Sequence, residues 1–287
     1  MPKLELPSGV KLHWVRGGRG NESEASPEAA LEATSATPSE APSETIVFVN
    51  GLTMDTSAWR AVAERLGERC ATLRYDCRGQ GESDKPDGPY PPETHAQDLL
   101  ELLAGLGLGR VHLVGLSNGG LVALLAAARA PERVRSLAMI DSFGAHDAPL
   151  RLILDSWRGA LEAGGAGLRF DVAAPWVWGQ AFLNAHLGEV LALRERAAEA
   201  DPAAVGHLIA GLAGFGSALD AFERYRGPFL ALVGADDLLT PPRYSRALVE
   251  AAGRGKLVVL PEAGHAAPLE RPAAVAQALA AFLEGAR

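Results

Sequence analysis

The sequence predicts an α/β protein: a mostly parallel central sheet with helices on both faces and an inserted helical lid. Three observations carry this. Short apolar, partly β-branched runs alternate with helix-patterned segments between residues 45 and 142, and such alternation builds a parallel sheet covered on both sides. The alternation stops after residue 142 and resumes at Phe229. The stretch between has apolar residues at helical spacing, among them Leu150, Ile153, Leu154 and Trp157.

Each element has its own signal. Residues 3–6 and 11–16 read as two short strands around the turn Pro7-Ser8-Gly9, an antiparallel hairpin. Residues 19–44 hold one Arg and six Glu among Ala, Ser, Thr and Pro. With almost nothing to pack, they read as a disordered acidic surface insert. TIVFVN (45–50) is a buried strand, followed by a helix at 58–66 and the strand ATLRYD (71–76). A helix covers 93–106, an apolar strand 111–116, and a helix at 273–283 closes the fold. Residues 1–143 and 227–287 then form the two parts of the core, and 144–226 the lid.

Composition narrows the function classes. At 287 residues and 48% hydrophobic, the chain can bury a large core. Its net charge is −8, and nothing suggests a basic surface for nucleic acid. The start MPKLELPSGVKLHW lacks the basic-then-apolar pattern of a signal peptide, and no apolar run is long enough to span a membrane. Cys70 and Cys77 read as reduced, packed thiols of a cytoplasmic protein. The seven histidines show no metal-ligand spacing, so neither metal nor cofactor is expected. The expected partner is a small-molecule substrate, with no nucleic acid and no membrane. Oligomeric state is not written in any of these patterns.

The most informative string is VHLVGLSNGGLVALLAAA, residues 111–128. An apolar strand ends at Gly115-Leu116-Ser117-Asn118-Gly119 and an Ala- and Leu-rich helix starts at once. This is G-x-S-x-G in strand–turn–helix context, a nucleophile elbow. The sharp turn lifts Ser117 above the strand end, and the flanking glycines let strand and helix approach. The helix N-terminus places free N–H groups and a positive dipole end beside developing negative charge.

Two further strands end in candidate partners. FLALVGADDLLTPP (229–242) leads to Asp236 and Asp237, and KLVVLPEAGHAAPLERP (256–272) to His265. A Ser hydroxyl needs an imidazole to take its proton, and the imidazole needs a carboxylate to hold its tautomer. His265 supplies the imidazole. Three carboxylates compete for the last role: Asp237, Asp236 and Asp141, the last at the end of the strand SLAMIDS. Each candidate follows a strand, so all can meet at the carboxyl ends of one sheet, where open α/β sheets bind ligands.

The order Ser, Asp, His, the elbow GLSNGGLVA and the element Asp76-Cys77-Arg78-Gly79-Gln80-Gly81-Glu82-Ser83 together resemble the α/β-hydrolase fold. LRYDCRGQGESDKPDGPY (73–90) and AARAPERVRSLAMID (126–141) are similar to 3-oxoadipate enol-lactonases and related hydrolases of small esters and lactones. The resemblance implies that the acid is Asp237, with Pro241 as the proline of G-x-x-D-x-x-x-P, and that Asp236 is a turn residue. It implies backbone N–H donors at Leu52 and Asn118 for an oxyanion. It also marks a departure: Asn50-Gly51 stands where many members carry His-Gly. Thr53 and Asp55, just beyond, read as turn chemistry before pocket residues.

The expected chemistry is acyl transfer to water at an ester, lactone or thioester, through a Ser117–His265–Asp237 triad and an acyl-enzyme. Ser at the elbow argues against dehalogenase chemistry, which uses a carboxylate nucleophile. Trp157, Trp176 and Trp178 in the lid are candidate pocket residues, and with Phe170, Phe182 and Leu183 they suggest a partly apolar substrate. His146 and Asp147 are placed near the pocket mouth. The same residues would also serve acyl transfer to an alcohol, C–C bond hydrolysis or perhydrolysis. The rival from another class is a silent small-molecule-binding protein on this fold, because such a protein can keep an intact triad.

Overall fold

Side-chain alternation along the strands builds the two faces of the sheet. In β3 (Thr45–Val49), Ile46 and Phe48 pack on one side and Val47 and Val49 on the other, all fully buried. A parallel strand buried on both faces reads as the near-continuous apolar run seen here. The computed structural model describes residues 2–18 and 44–286. The expected acidic insert therefore lies, but for Glu44, outside the described residues.

Eight strands form one sheet in the order β1-β2-β4-β3-β5-β6-β7-β8. The hairpin β1 (Lys3–Glu5) and β2 (Lys11–Gly17) is antiparallel and joins β4 (Ala71–Tyr75) antiparallel. From β4 through β3, β5 (Val111–Leu116), β6 (Val134–Ile140), β7 (Phe229–Gly234) and β8 (Lys256–Leu260), every pairing is parallel. Strand order reverses at β3, which places the carboxyl ends of β3 and β5 side by side, with Val49 opposite Gly115.

Helices cover both faces. On one lie α1 (Arg60–Gly67), preceded by a 3₁₀ turn at Thr56–Trp59, and the closing helix α10 (Pro272–Glu284). Trp59 packs at a tilt of 32° against Phe48 with centroids 4.9 Å apart, a burial that stabilises by about 2–3 kcal/mol per ring. On the other face lie α2 (Pro92–Gly105), α3 (Asn118–Arg129) and α8 (Pro242–Ala252).

Between β6 and β7 the chain leaves the sheet and forms α4 (Ala148–Val177), α5 (Gln180–Ala198), α6 (Pro202–Ala213) and the single turn α7 (Ala221–Arg224). These are the inserted helices. Asp147 caps α4 by accepting from Leu150 N–H at 3.0 Å. The helix breaks at Gly164 and Gly165, the latter at φ 71°. The entry and exit of the insertion are laced together by Ala218 N–H to Gly144 O and His146 N–H to Gly216 O. Asp147 thus serves the start of the lid, where Tyr244 Oη also donates to it at 2.5 Å.

The element from Asp76 to Ser83 is a staple. Asp76 Oδ1 accepts from Thr56 N–H at 2.7 Å and Oδ2 from Glu82 N–H at 2.9 Å, and Ser83 Oγ donates to Asp76 O at 2.6 Å. Arg78 grips Asp98 of α2 with two bonds of 2.5 and 2.6 Å. Cys70 and Cys77 are buried free thiols, and burial pushes the Cys77 thiol up to about 12. Among the described residues no helix is long and apolar enough to cross a membrane, and no group of three or more His, Cys, Asp or Glu could hold a metal ion.

Candidate active site

Ser117 sits between β5 and α3 at φ 54°, ψ −122°. This is left-handed backbone that a non-glycine residue adopts only under constraint. Two glycines supply the room. A Cβ on Gly115 would lie 2.2 Å from Gly119 O, and one on Gly119 would lie 2.2 Å from Val49 O. Strand, turn and helix therefore pack backbone against backbone. Ser117 N–H donates to Ile140 O at 2.8 Å and Ser142 Oγ donates to Ser117 O at 2.7 Å. The turn is thereby tied to the next strand.

His265 follows β8 and is buried. Its Nδ1 lies 3.0 Å from Asp237 Oδ2, which leaves Nε2 as the nitrogen free for another partner. Asp237 is itself held. Its Oδ1 accepts from Leu239 N–H at 2.9 Å and from Thr240 N–H at 2.8 Å. Thr240 Oγ1 lies 2.9 Å from Asp237 Oδ2, 2.9 Å from Asp141 O and 3.1 Å from His265 Nδ1. The carboxylate and the imidazole are thus oriented by one short turn.

The other two acids have other partners. Asp236 is exposed. Asp141 is fully buried, and its carboxylate accepts from Gly234 N–H at 2.8 Å and Ala267 N–H at 3.2 Å. It pins β6 to β7 and to the segment after His265. Burial, then the neighbouring Asp237, push the Asp141 carboxyl well above the ordinary range.

Ser117 and His265 line one cavity of about 620 Å³ at the carboxyl ends of the strands, a size suited to a small-molecule ligand. Its wall on the core side includes Gly51, Leu52 and Gln80. A Cβ on Gly51 would stand 3.5 Å from Ser117 Cβ, so this loop faces the elbow. Asn118 is the first residue of α3, and its N–H has no carbonyl four residues back within the helix. Asn50 is buried, and its side-chain amide atoms have no hydrogen-bond partner.

Two residues that sequence reasoning passed over shape the site. Gln80 Nε2 donates to Gly51 O at 2.7 Å. Gly51 O and Leu52 N–H belong to one trans peptide and point opposite ways, so a grip on the carbonyl fixes the direction of the Leu52 N–H. Glu270, in the turn α9 (Ala267–Glu270), accepts from Gly264 N–H at 2.8 Å and from Gly179 N–H at 3.2 Å. It joins the loop of His265 to the α4–α5 corner. At the same corner Val177 O accepts from His265 N–H at 2.8 Å. Burial raises the Glu270 carboxyl. Gln80 stands inside the glycine-rich element and Glu270 five residues beyond the His. Those positions were the available signals.

The inserted helices form the opposite wall. Trp157, Phe170 and Trp178 line the cavity, and Phe182 stacks on Trp178 at 5.3 Å. Trp176 corrects the expectation: it is 39% exposed and does not line the cavity. The lining residues Phe170, Ala173, Ala174 and Val177 define a stripe on α4. Trp176 falls roughly 110° from the centre of that stripe at about 100° per residue. His146 is not among the lining residues either. Thr53 and Asp55 do line the cavity while also serving local structure, Asp55 capping the turn at Ser57 N–H with a 2.8 Å bond.

Comparison with known proteins agrees with this architecture. A model of the alpha/beta hydrolase family matches residues 46–278. The chain is 26% identical over 245 residues to the "Putative carbamate hydrolase RutD" of Caulobacter sp. (strain K31), covering 84% of this chain and 91% of that protein. Its fold is similar to a thermophilic esterase from Thermogutta terrifontis solved with malate bound, at TM-score 0.84 and 25% identity, covering 100% of this chain and 99% of that one. It is equally similar to the enol-lactonase from Burkholderia xenovorans LB400, at TM-score 0.84 and 24% identity, with coverage of 99% and 100%. With the reversal of strand order at β3 and the strained serine at its carboxyl edge, the match across most of the chain places this protein in the alpha/beta hydrolase family, and it is a hydrolase.

Proposed function

We propose that the protein is a serine hydrolase that cleaves a small ester, lactone or thioester through Ser117, His265 and Asp237. The observation that carries this reading is the strained Ser117 in one cavity with His265, whose Nδ1 is held by Asp237 at 3.0 Å. In this mechanism His265 Nε2 takes the Ser117 proton as Oγ attacks the carbonyl carbon. Asp237 keeps the Nδ1–H tautomer and stabilises the imidazolium. The Leu52 and Asn118 N–H groups receive the oxyanion, each donor worth about 3 kcal/mol in the transition state. His265 then protonates the leaving alcohol or thiol. Water, deprotonated by the same imidazole, attacks the acyl-enzyme and releases the acid and free Ser117.

The helices from 148 to 213 act as the lid of this reaction. Their inner side presents Leu150, Leu154, Trp157 and Phe170 to the cavity, which suits a partly apolar substrate and limits water at the acyl-enzyme. A carbamate is the second carbonyl to test, because the relative matched over 84% of this chain carries that name. The same attack on a carbamate carbonyl uses the same groups.

The test is turnover across p-nitrophenyl acyl chains, a small lactone panel and a simple carbamate, with Ser117→Ala as control. Ser117→Ala is expected to lower kcat by about 10⁴-fold or more. Wild-type turnover no faster than the variant on every substrate would sink the serine mechanism.

A further inference from the structure

We propose that Arg169 is an anion anchor, and that the hydrolase is built for acyl substrates carrying a carboxylate a few atoms from the reacting carbonyl. The proposal rests on the serine-hydrolase reading above and names its substrate class.

Arg169 lies on α4, beyond the break at Gly164 and Gly165, and lines the cavity. It is only 6% exposed. Among the described residues its hydrogen bond runs from Nη2 to Thr53 Oγ1 at 2.9 Å, a neutral acceptor, and its Nε meets no partner. Its guanidinium carbon also lies 5.9 Å from the centroid of the Trp157 ring. Among the described residues no carboxylate pairs with it. Other lid arginines do find acids: Arg194 binds Asp171 with two bonds of 3.0 and 3.1 Å, and Arg196 reaches Asp55 at 3.2 Å. Burial without a compensating charge lowers the Arg169 guanidinium to about 10, so it still carries its charge at neutral pH.

A guanidinium buried with a vacant edge is costly unless an anion meets it. Its planar fork matches a carboxylate with two parallel hydrogen bonds. Of the acids that line the cavity, Glu82, Glu199 and Asp201 are exposed, and half-buried Asp55 is met by Arg196 at 3.2 Å rather than by Arg169. Position sets the substrate length. Arg169 binds Thr53, the chain neighbour of Leu52, and successive Cα atoms are about 3.8 Å apart. A carboxylate on Arg169 and an oxyanion on the Leu52 N–H are therefore spanned by a short chain, as in half-esters of succinic or glutaric acid.

The test compares kcat/KM for the p-nitrophenyl half-ester of glutaric acid with that for p-nitrophenyl pentanoate, after subtraction of enzyme-free rates. Wild type is expected to favour the acid. Arg169→Met is expected to lower the acid-to-neutral ratio by about 30-fold or more, with Arg169→Lys restoring part of it. Thr53→Ala, which removes only the neutral acceptor, should keep the preference. Ser117-dependent turnover with no wild-type preference for the acid would overturn the anchor and leave the serine mechanism standing. If Arg169→Met fails to fold, the wild-type preference and the lysine variant decide. Should Ser117→Ala turn over both esters as fast as wild type, the serine reading fails, and calorimetric titration with glutarate decides the anchor separately. Glutarate binding to wild type that is lost in Arg169→Lys or Arg169→Met supports it, and no binding to wild type overturns it.

Discussion

The sheet core and the inserted helices obey different rules. Around the elbow, backbone meets backbone: Gly119 touches Val49 O, Gly115 touches Gly119 O, and Ser117 is held in a left-handed conformation. In the lid, Gly159 and Gly188 have open space where a Cβ would go, and Leu152, Leu187 and Leu191 are more than half exposed. The core tolerates almost no change in shape, because an added methyl group there would meet main-chain atoms that cannot move apart from their strands. The lid constrains only its inner stripe. Yet its inner side supplies Arg169, Trp157 and Phe170 to the cavity, so the proposed reaction would draw its reacting groups from the rigid part and its choice of substrate from the permissive part.

The largest expected effect breaks the core side of this contrast. Gly119→Ala drives a methyl group into Val49 O at 2.2 Å and Asn50 O at 2.6 Å, neither of which can move without displacing β3. A loss of about 3 kcal/mol or more is expected in urea unfolding. A change under about 1 kcal/mol would show that the elbow is looser than its contacts imply.

A pH experiment probes the same core. His95 on α2 is fully buried with neither ring nitrogen hydrogen-bonded, and burial holds it down at about 3. Its folded value lies below its unfolded value, so the folded state binds fewer protons. Stability is complete above the unfolded value near 6.5 and is lost as pH falls from there toward 3. His95→Leu should remove about 2 kcal/mol of the loss between pH 7 and pH 4.5. Identical pH profiles for wild type and variant would assign acid sensitivity to another group.

Gln80 tests how finely the core aims its donors. Gln80→Leu frees the Gly51–Leu52 peptide and is expected to lower kcat by about 10- to 100-fold, with KM nearly unchanged. A change confined to KM would mean that Gln80 touches substrate rather than positioning the loop.

The smallest effect belongs to the lid and has the opposite sign. Gly159→Ala lies on the exposed side of α4 with nothing within 4 Å, and it should stabilise by about 0.5–1 kcal/mol through helix propensity. Destabilisation would show that the lid is packed more tightly than its glycines suggest.

Much of this was legible in the sequence because it is local. The strands Thr45–Val49 and Val111–Leu116 are continuous apolar runs between turn signals, and the elbow announces itself within five residues. The hairpin, the alternation and the place of the insertion follow from periodicities of two and 3.6 residues. Helix ends were less exact: the segment read as a helix at 58–66 is a 3₁₀ turn, Thr56–Trp59, running into Arg60–Gly67, because Asp55 caps the chain earlier than the apolar pattern shows.

Local patterns thus suffice for the sheet-and-helix alternation, the serine at a sharp turn and the short set of residues able to serve it. Packing between distant segments selected among them. Asp237 rather than Asp141 faces His265, because Asp141 is occupied by the backbone of Gly234 and Ala267. Trp176 turns outward while Trp157 and Trp178 turn in, and Arg169 is buried with no acid to meet it among the described residues. Periodicity sets the face of an element, but hydrogen-bond partners and buried charges are settled between residues scores of positions apart, by which elements the fold brings together.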